Sequence, residues 1–421
     1  MAGADRPALS EGRHAVEAVW RIESARIVGT LARLTGDFAL AEDLAQEALA
    51  EALVNWPREG VPRNPAGWLL TVAKRRGIDA YRRRSALDER YAVLARDLSE
   101  GEGGDLPWDP DRIDDDVLAL MFVACHPVLS REARVALTLR VVAGLTSDEI
   151  ARAFLVPTAT VQARITRAKK SISAAQVPFA VPPVHERRER LGSVLSVIYV
   201  VFTEGSTATS GPDLLRVDLA FEALRMSRVL TQLVPDDAET HGLVALLELT
   251  SARFPARTGP AGEPVLLEDQ DRRRWDRGAI RRGRAALATA ERVGQGLGPY
   301  GVQAAIAECH AVAPSVAETD WERIVLLYDA LDRLAPSPVV RLNRAVAISM
   351  ARGPTAGLAA VDGLAGDDRL AGSHLLPTVR GELLTRLGRT EQAREQLRLA
   401  AARCTNDRER VVLERKLADL G

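Results

Sequence analysis

Residues 144–172 read GLTSDEIARAFLVPTATVQARITRAKKSI. From Thr158 onward the segment carries Arg164, Arg167, Lys169 and Lys170 and no acid, in a chain whose formal net charge is −1. A solvated helix face mixes the signs, whereas a one-sided run beside a tight turn points to a polyanion. Thr146 and Glu149 form a T-x-x-E capping box that opens a short helix. That helix ends near Phe154. Leu155, Val156 and Pro157 supply the turn, and Thr158 is placed to cap the next helix. On the second helix Val161, Ile165, Ala168 and Ile172 make an apolar stripe at helical spacing. The opposite face presents Ala159, Ala163, Thr166, Arg167 and Lys170, flanked by Thr160, Gln162, Arg164 and Lys169. A short helix, a tight turn and a basic second helix fit a DNA major groove. Small side chains near the helix start allow close approach, and Gln or Arg reads base edges. Lys169 and Lys170, further along, are placed for phosphates. The competing reading is an ordinary helical hairpin with a solvated basic face.

A second basic helix lies upstream. AGWLLTVAKRRGIDAYRRR, residues 66–84, sets Lys74, Arg75, Arg76, Arg82, Arg83 and Arg84 against Asp79 alone, a balance of +5. Trp68 stands at its start, and an aromatic beside a basic groove suits an unstacked base, a contact of about 1–3 kcal/mol. The alternative for Trp68 is a place in the core. The preceding helix, DFALAEDLAQEALAEALVNW from Asp37, has Asp37 as its cap. Leu40, Ala41, Leu44, Ala48 and Leu49 form its apolar side, and Asp43, Gln46 and Glu47 its polar stripe. The proline-rich PREGVPRNP, residues 57–65, is expected to end it.

Around these elements the 421-residue chain is 47% hydrophobic but only 4% aromatic. Ala, Leu, Arg and Glu dominate, which favours helices, and the length requires more than one core. Its 56 basic and 57 acidic residues conceal local asymmetry. Residues 85–116 hold eleven acids against Arg90, Arg96 and Arg112, a balance of −8, and read as a linker. VPFAVPPV, 177–184, is a stiffer boundary. Cys125, Cys309 and Cys404 are scattered and form no C-x-x-C pair, which argues against a disulfide framework or a zinc site and fits a reducing cytoplasm. The N-terminus has no apolar signal core. LGSVLSVIYVVF, 191–202, is shorter than the roughly 20 residues of a membrane span and reads as a buried helix. Beyond His185 helix follows helix. AVAISMARGPTAGLAAVDGLA (345–365) aligns with RGELLTRLGRTEQAREQLRLA (380–400) at an offset of 35, near the period of a TPR-like solenoid. In VLLEDQDRRRWD (265–276) the i,i+4 pairs Glu268–Arg272 and Asp269–Arg273 suggest a solvated ion-pair face, with an interaction surface as the alternative. GQGLG, 294–298, is an inter-helix turn, and GSTATSG, 205–211, a small polar turn, with a phosphate- or ligand-binding loop as the alternative. No G-x-x-x-x-G-K, G-x-S-x-G or H-E-x-x-H motif occurs, and His126 reads as a capping or core residue, so no catalytic site is expected.

The order of these pieces resembles the ECF (extracytoplasmic-function) group of bacterial RNA polymerase sigma factors. DFALAEDLAQEALAEALVNW with NPAGWLLTVAKRRGIDAYRRR looks like conserved region 2, and LSREARVALTLRVVAGLTSDEIARAFLVPTATVQARITRAKKSI like region 4. The remainder is similar to the long TPR-like extension of one subgroup, through VFTEG, LLRVDLAFEALRMSRVL, GPYGVQAAIAECHA and PSPVVRLNRAVA. Thr203 in VFTEG stands where that subgroup usually has asparagine. The resemblance implies an all-α chain: region 2 over 13–84, an acidic linker over 85–116, a helix-turn-helix region 4 over 117–178 and a TPR-like solenoid over 185–421. It implies that Asp43, Gln46 and Glu47 dock on core RNA polymerase. Trp68, Lys74, Arg75 and Arg76 would hold the melted −10 element. Thr160, Gln162, Ala163, Arg164, Arg167 and Lys170 would read the −35 element of promoter DNA. The linker would thread the polymerase's RNA-exit path. The extension would regulate the sigma factor in cis or through a protein partner. No cofactor, metal or membrane contact is implied, and the expected location is cytoplasmic. The alternative is a stand-alone helix-turn-helix regulator with a protein-interaction domain, which would not need the acidic stripe or the Trp-basic helix.

Overall fold

The computed structural model describes residues 5–85, 110–154, 156–207, 215–259 and 263–420. The chain divides into two compact units, Met1–Val200 and Val201–Gly421. Nineteen α-helices and no strand occur among the described residues, with one isolated bridge, Thr258 to Pro264.

The first unit begins with α1 (Asp5–Thr35), which packs along α2 (Phe38–Glu59) and α3 (Pro65–Ser85). Trp20, Ile27, Val28 and Leu31 of α1 and Leu44, Ala45, Ala48 and Ala52 of α2 are buried at helical spacing. Asp37 caps α2 as its sequence predicts, accepting from the Ala39 and Leu40 N–H groups at 2.9 and 3.1 Å. Asn64 caps α3 through the Gly67 N–H at 3.0 Å, with Pro65 at the first helical position, where its missing N–H costs nothing. The expectation that the helix stops at residue 57 is corrected. Pro57 sits inside the last turn, and α2 runs on to Glu59. A proline this close to the end forfeits little of the hydrogen-bond ladder. The stop comes from Gly60, at φ +88°, whose N–H reaches the Trp56 carbonyl.

Residues 86–109, most of the expected linker, lie outside the described residues. Its last seven residues are not linker. They open α4 (Pro110–Ala124), and Asp116 is buried against α1, bound by Arg33 Nε at 3.0 Å to both carboxylate oxygens. Burial raises the Asp116 pKa and Arg33 opposes that rise. The helix-turn-helix is α5 (Arg131–Val141), α6 (Ser147–Phe154) and α7 (Thr158–Ala174), followed by α8 (Val184–Ser206).

The second unit is a succession of helices, α9 (Val217–Leu233), α10 (Ala238–Ser251), the short α11 (Phe254–Arg257), α12 (Arg277–Val293), α13 (Pro299–Val312), α14 (Trp321–Leu334), α15 (Pro338–Arg352), α16 (Pro354–Asp362), α17 (Leu375–Arg386), α18 (Thr390–Arg403) and α19 (Asp407–Asp419). α13 packs chiefly on α10, and from α14 onward each helix packs chiefly on its sequence neighbours. Their apolar residues form consecutive small cores rather than one: Ile306, Ile324 and Ile348, then Leu342, Leu358 and Leu383, then Leu397, Cys404 and Leu413. That is how a solenoid buries its surface. The aligned segments 345–365 and 380–400 fall on α15–α16 and α17–α18. Each pair is brought close by a glycine: a Cβ on Gly357 would lie 2.3 Å from Ser349 Cβ, and one on Gly381 2.8 Å from Leu397 Cγ.

The ion-pair face expected over 265–276 does not form. This stretch holds two isolated 3-10 turns, Leu267–Asp269 and Arg272–Arg274, so residues four apart do not share a face. Arg273 pairs with Asp271 at 3.0 Å, and Arg272 turns inward. 

Gly144 joins α5 to α6 at φ +70°, and a Cβ there would meet Ser24 Oγ of α1 at 2.7 Å. Gly144→Ala adds a left-handed backbone cost of roughly 1–2 kcal/mol to that collision. We expect a lower urea midpoint, and an unchanged midpoint would show that α1 does not bear on this turn.

Candidate nucleic-acid and polymerase interface

The capping box of α6 forms as its residues dictate. Glu149 accepts from the Thr146 N–H at 2.8 Å and from its hydroxyl at 2.9 Å, and the Glu149 N–H returns to Thr146 Oγ1 at 3.2 Å. Arg21 of α1 adds an ion pair at 2.5 Å. Burial alone would raise the Glu149 carboxyl, but these bonds outweigh it and hold it below the usual range. Thr158 does not cap α7: Pro157 occupies the cap position, and the Thr158 hydroxyl donates to Asp148 at 2.7 Å, locking the turn from the other side. Val161, Ile165, Ala168 and Ile172 are buried, and α7 packs on α5 and α6. On the outer side Gln162, Ala163, Arg167 and Lys170 are exposed, with Thr160 and Arg164 half-buried at the flanks. Arg167 Nε donates to the Ala163 carbonyl at 3.3 Å and lies back along its own helix. The six residues thus share one accessible side of α7.

On α2 and α3 the acidic stripe and the basic run meet each other. Arg76 bonds Glu51 at 2.6 Å and Glu47 at 3.3 Å, and Arg75 reaches Glu51 at 3.1 Å. The Glu51 hydrogen bond raises the Arg76 pKa further. Lys74 is half-buried, and burial, then the neighbouring Arg33, lowers its pKa. Trp68 is half-buried and stands edge-on to the buried Trp56, ring centres 5.5 Å apart. The side chains of Arg82, Arg83 and Arg84 lie outside the described residues.

The third feature joins the two halves. Glu42 is 3% exposed on α2, and its carboxylate is held by Arg140 of α5 at 3.3 Å and by Lys169 of α7. Lys169 also bonds Asp43 at 2.7 Å, and Arg140 Nη2 donates to Gln46 Oε1 at 2.6 Å. Lys169, expected at a phosphate, is therefore turned into the protein. Burial pulls the Lys169 ammonium down, but the two carboxylates outweigh it and its pKa stands above the ordinary lysine value. All three residues of the predicted polymerase stripe carry partners from their own chain: Asp43 has Lys169, Gln46 has Arg140, Glu47 has Arg76.

Comparison with known proteins bears on what these surfaces serve. Residues 21–86 match Sigma-70 region 2 and residues 119–172 match Sigma-70 region 4. Residues 190–291 match a family of unknown function, DUF6596. Uncharacterized protein R00370 of Rhizobium meliloti (strain 1021) is 46% identical over 396 residues, 93% of each chain. The probable ECF RNA polymerase sigma factor SigI of Mycobacterium tuberculosis, in strains CDC 1551 / Oshkosh and ATCC 25618 / H37Rv, is 29% identical over 174 residues, 41% of this chain and 59% of that one. No solved structure matches. The chain belongs to the ECF sigma factors, with a helical C-terminal extension. Sigma factors are non-enzymatic transcription factors, and membership implies binding to core RNA polymerase and promoter DNA.

In this sigma factor, sequence reasoning missed Glu42, Arg140 and Glu51. Glu42 interrupts the buried run Phe38, Ala41, Ala45, one helical turn from Phe38 and from Ala45, and an acid in an apolar stripe is a signal of a buried ion pair. It also missed a juxtaposition in the extension. His374, Cys404 and Glu409 bring their donor atoms within 4.8 Å of one another. His374 Nε2 lies 3.4 Å from Glu409, burial holds the Cys404 thiol up, and Arg257 adds positive charge beside Glu409. That environment disfavours a second cation. Among the described residues no helix is long and apolar enough to cross a membrane.

Removing Lys169 strips Glu42 of one of its two cations. Lys169→Ala is expected to cost about 1–3 kcal/mol, below the full penalty of a broken buried pair because Arg140 remains. Hydrogen exchange should quicken in α2 and α7 together. Unaltered exchange in both would mean that the contact carries no energy.

Proposed function

We propose that this sigma factor docks on core RNA polymerase through Asp43, Gln46 and Glu47 and directs initiation at promoters with two separately read elements. Trp68, Lys74, Arg75 and Arg76 meet the melted −10 strand, and Thr160, Gln162, Ala163, Arg164, Arg167 and Lys170 read the −35 duplex. The observation that carries this reading is the pairing of the α2 stripe with cations of its own chain. An acidic surface of this kind accepts a basic partner, and polymerase replaces the internal one. The exchange frees Lys169 and Arg76, whose natural replacements for carboxylates are promoter phosphates. Polymerase and DNA binding then favour each other, and by linkage the coupling is reciprocal. Tethering multiplies two modest affinities, so the free protein binds promoters weakly. A stand-alone regulator has no use for the stripe. The extension regulates this exchange in cis or through a protein partner, a role consistent with stacked helix pairs that present concave surfaces.

Run-off transcription with purified core enzyme on promoter libraries tests the assignment. Arg167→Ala is expected to lose promoter-specific product while binding core polymerase as before. Asp43→Arg is expected to lose polymerase binding first. Equal loss of both activities in both variants, with folding intact, would contradict the division of roles.

A further inference from the structure

Three basic side chains converge inside the second unit, where the end of α10, the turn at Arg272–Arg274 and the end of α13 meet. They are Arg253, Arg272 and His310. Side-chain bonds fix Arg272 on the end of α13, and a backbone bond brings the chain next to Arg253 against the same turn, close enough for Arg253 to act on both through space. The Asp276 N–H donates to the Ala252 carbonyl at 2.9 Å, beside Arg253. Arg272 Nη1 donates to the carbonyls of His310 and Ala313 at 2.6 and 2.7 Å. The Arg272 guanidinium lies 4.5 Å over the ring of Trp275, and His310 stands edge-on to Trp321 at 5.2 Å.

The cluster lacks an acid. Among the described residues neither Arg253 nor Arg272 has a carboxylate at ion-pair distance. Glu318 acts on Arg272 only through space and is itself bonded to Ser315 at 2.8 Å. The other groups that face the cluster are Tyr328, Arg277, whose Nη2 reaches the Arg272 carbonyl at 3.5 Å, and Arg257, which is bound to the Ser206 carbonyl at 2.6 Å. Burial, then Arg257 and Arg272, pulls the Arg253 pKa down to about 10. Burial, then Arg253 and Arg272, pushes His310 down to about 4, so its imidazole is neutral. Three buried polar atoms here also have no partner: Arg272 Nη2, Trp275 Nε1 and His310 Nδ1. Half-buried guanidiniums without a counter-ion, beside unmet buried polar atoms, are costly unless something supplies the missing negative charge.

We propose that Arg253, Arg272 and His310 form a binding site for a small organic molecule bearing an oxyanion, with Trp275 and Trp321 backing Arg272 and His310. A carboxylate and a phosphate share the required chemistry: a planar fork of guanidinium N–H groups meets two oxygens of either. Such a ligand neutralises the site and satisfies its donors. The proposal makes no use of the transcription assignment, so either can fail alone.

The test uses the full-length protein, with inorganic phosphate and acetate as probes and chloride as the ionic-strength control. Thermal unfolding and the NMR titration of His310 are read together. Millimolar phosphate or acetate should raise Tm in a saturating manner that chloride does not reproduce. The same anion should shift the His310 titration upward, because it offsets the two guanidiniums. A response to phosphate alone assigns a phosphate ester, and a response to acetate alone a carboxylate. Arg253→Met should abolish the response and, in anion-free buffer, raise Tm, since an uncompensated, half-buried charge is gone. A purely structural arginine would give the opposite sign. Arg253→Lys keeps the charge without the fork and should weaken the response several-fold. Neither anion acting beyond chloride, a response that survives Arg253→Met, or a lowered Tm in that variant would overturn the proposal.

Discussion

The first unit turns on one buried carboxylate. Glu42 sits on the apolar side of α2, where a methyl group would cost nothing, and it is tolerated because Arg140 and Lys169 reach it from α5 and α7. A buried charge without partners is far more costly than a surface one, so the arrangement of α2 against the helix-turn-helix is specified in a way that apolar packing alone does not achieve. Shorter ties follow the same line: Arg21 to Glu149, Arg33 to Asp116, and Gly144 pressed on Ser24. Since α2 also presents Asp43, Gln46 and Glu47, the carboxylate that holds the halves together and the stripe proposed for polymerase are one surface. Opening one exposes the other.

What the sequence disclosed was local. The Thr146–Glu149 box, the Asp37 cap and the stripe Val161, Ile165, Ala168 and Ile172 depend on residues three or four apart, and each forms as read. So does the all-α class, which follows from composition and periodicity. What stayed hidden depends on distant partners. Glu42 meets Arg140 and Lys169 from 98 and 127 positions away, and nothing in its neighbourhood names them. Asp116 belongs by composition to an acidic linker and by structure to the core, because Arg33 lies across from it. Residues 265–276 have α-helical ion-pair spacing but form only two 3-10 turns, so the same charges take other partners and Arg272 turns inward toward His310. Thr158 looks like a cap and is instead a clasp on Asp148.

The extension differs in kind from the first unit. From α14 onward its helices stack on their chain neighbours around a series of small cores, an arrangement whose pieces stabilise one another in sequence and need no single centre. Its charged residues are mostly satisfied in pairs, as where Arg228 and Arg282 share the buried Glu248. Against that background the positive cluster at Arg253, Arg272 and His310 stands apart, and two of its residues, Arg253 and Arg272, fall within the segment that matches a family of unknown function.

Spin labels at the exposed Ala50 of α2 and Ser173 of α7 measure the central contact directly, since the three cysteines are buried and unpaired. A double-resonance distance distribution for the free protein should be single, narrow and short, and core RNA polymerase should replace it with a longer one. A broad distribution in the free protein, or a short distance unchanged by polymerase, would contradict the account.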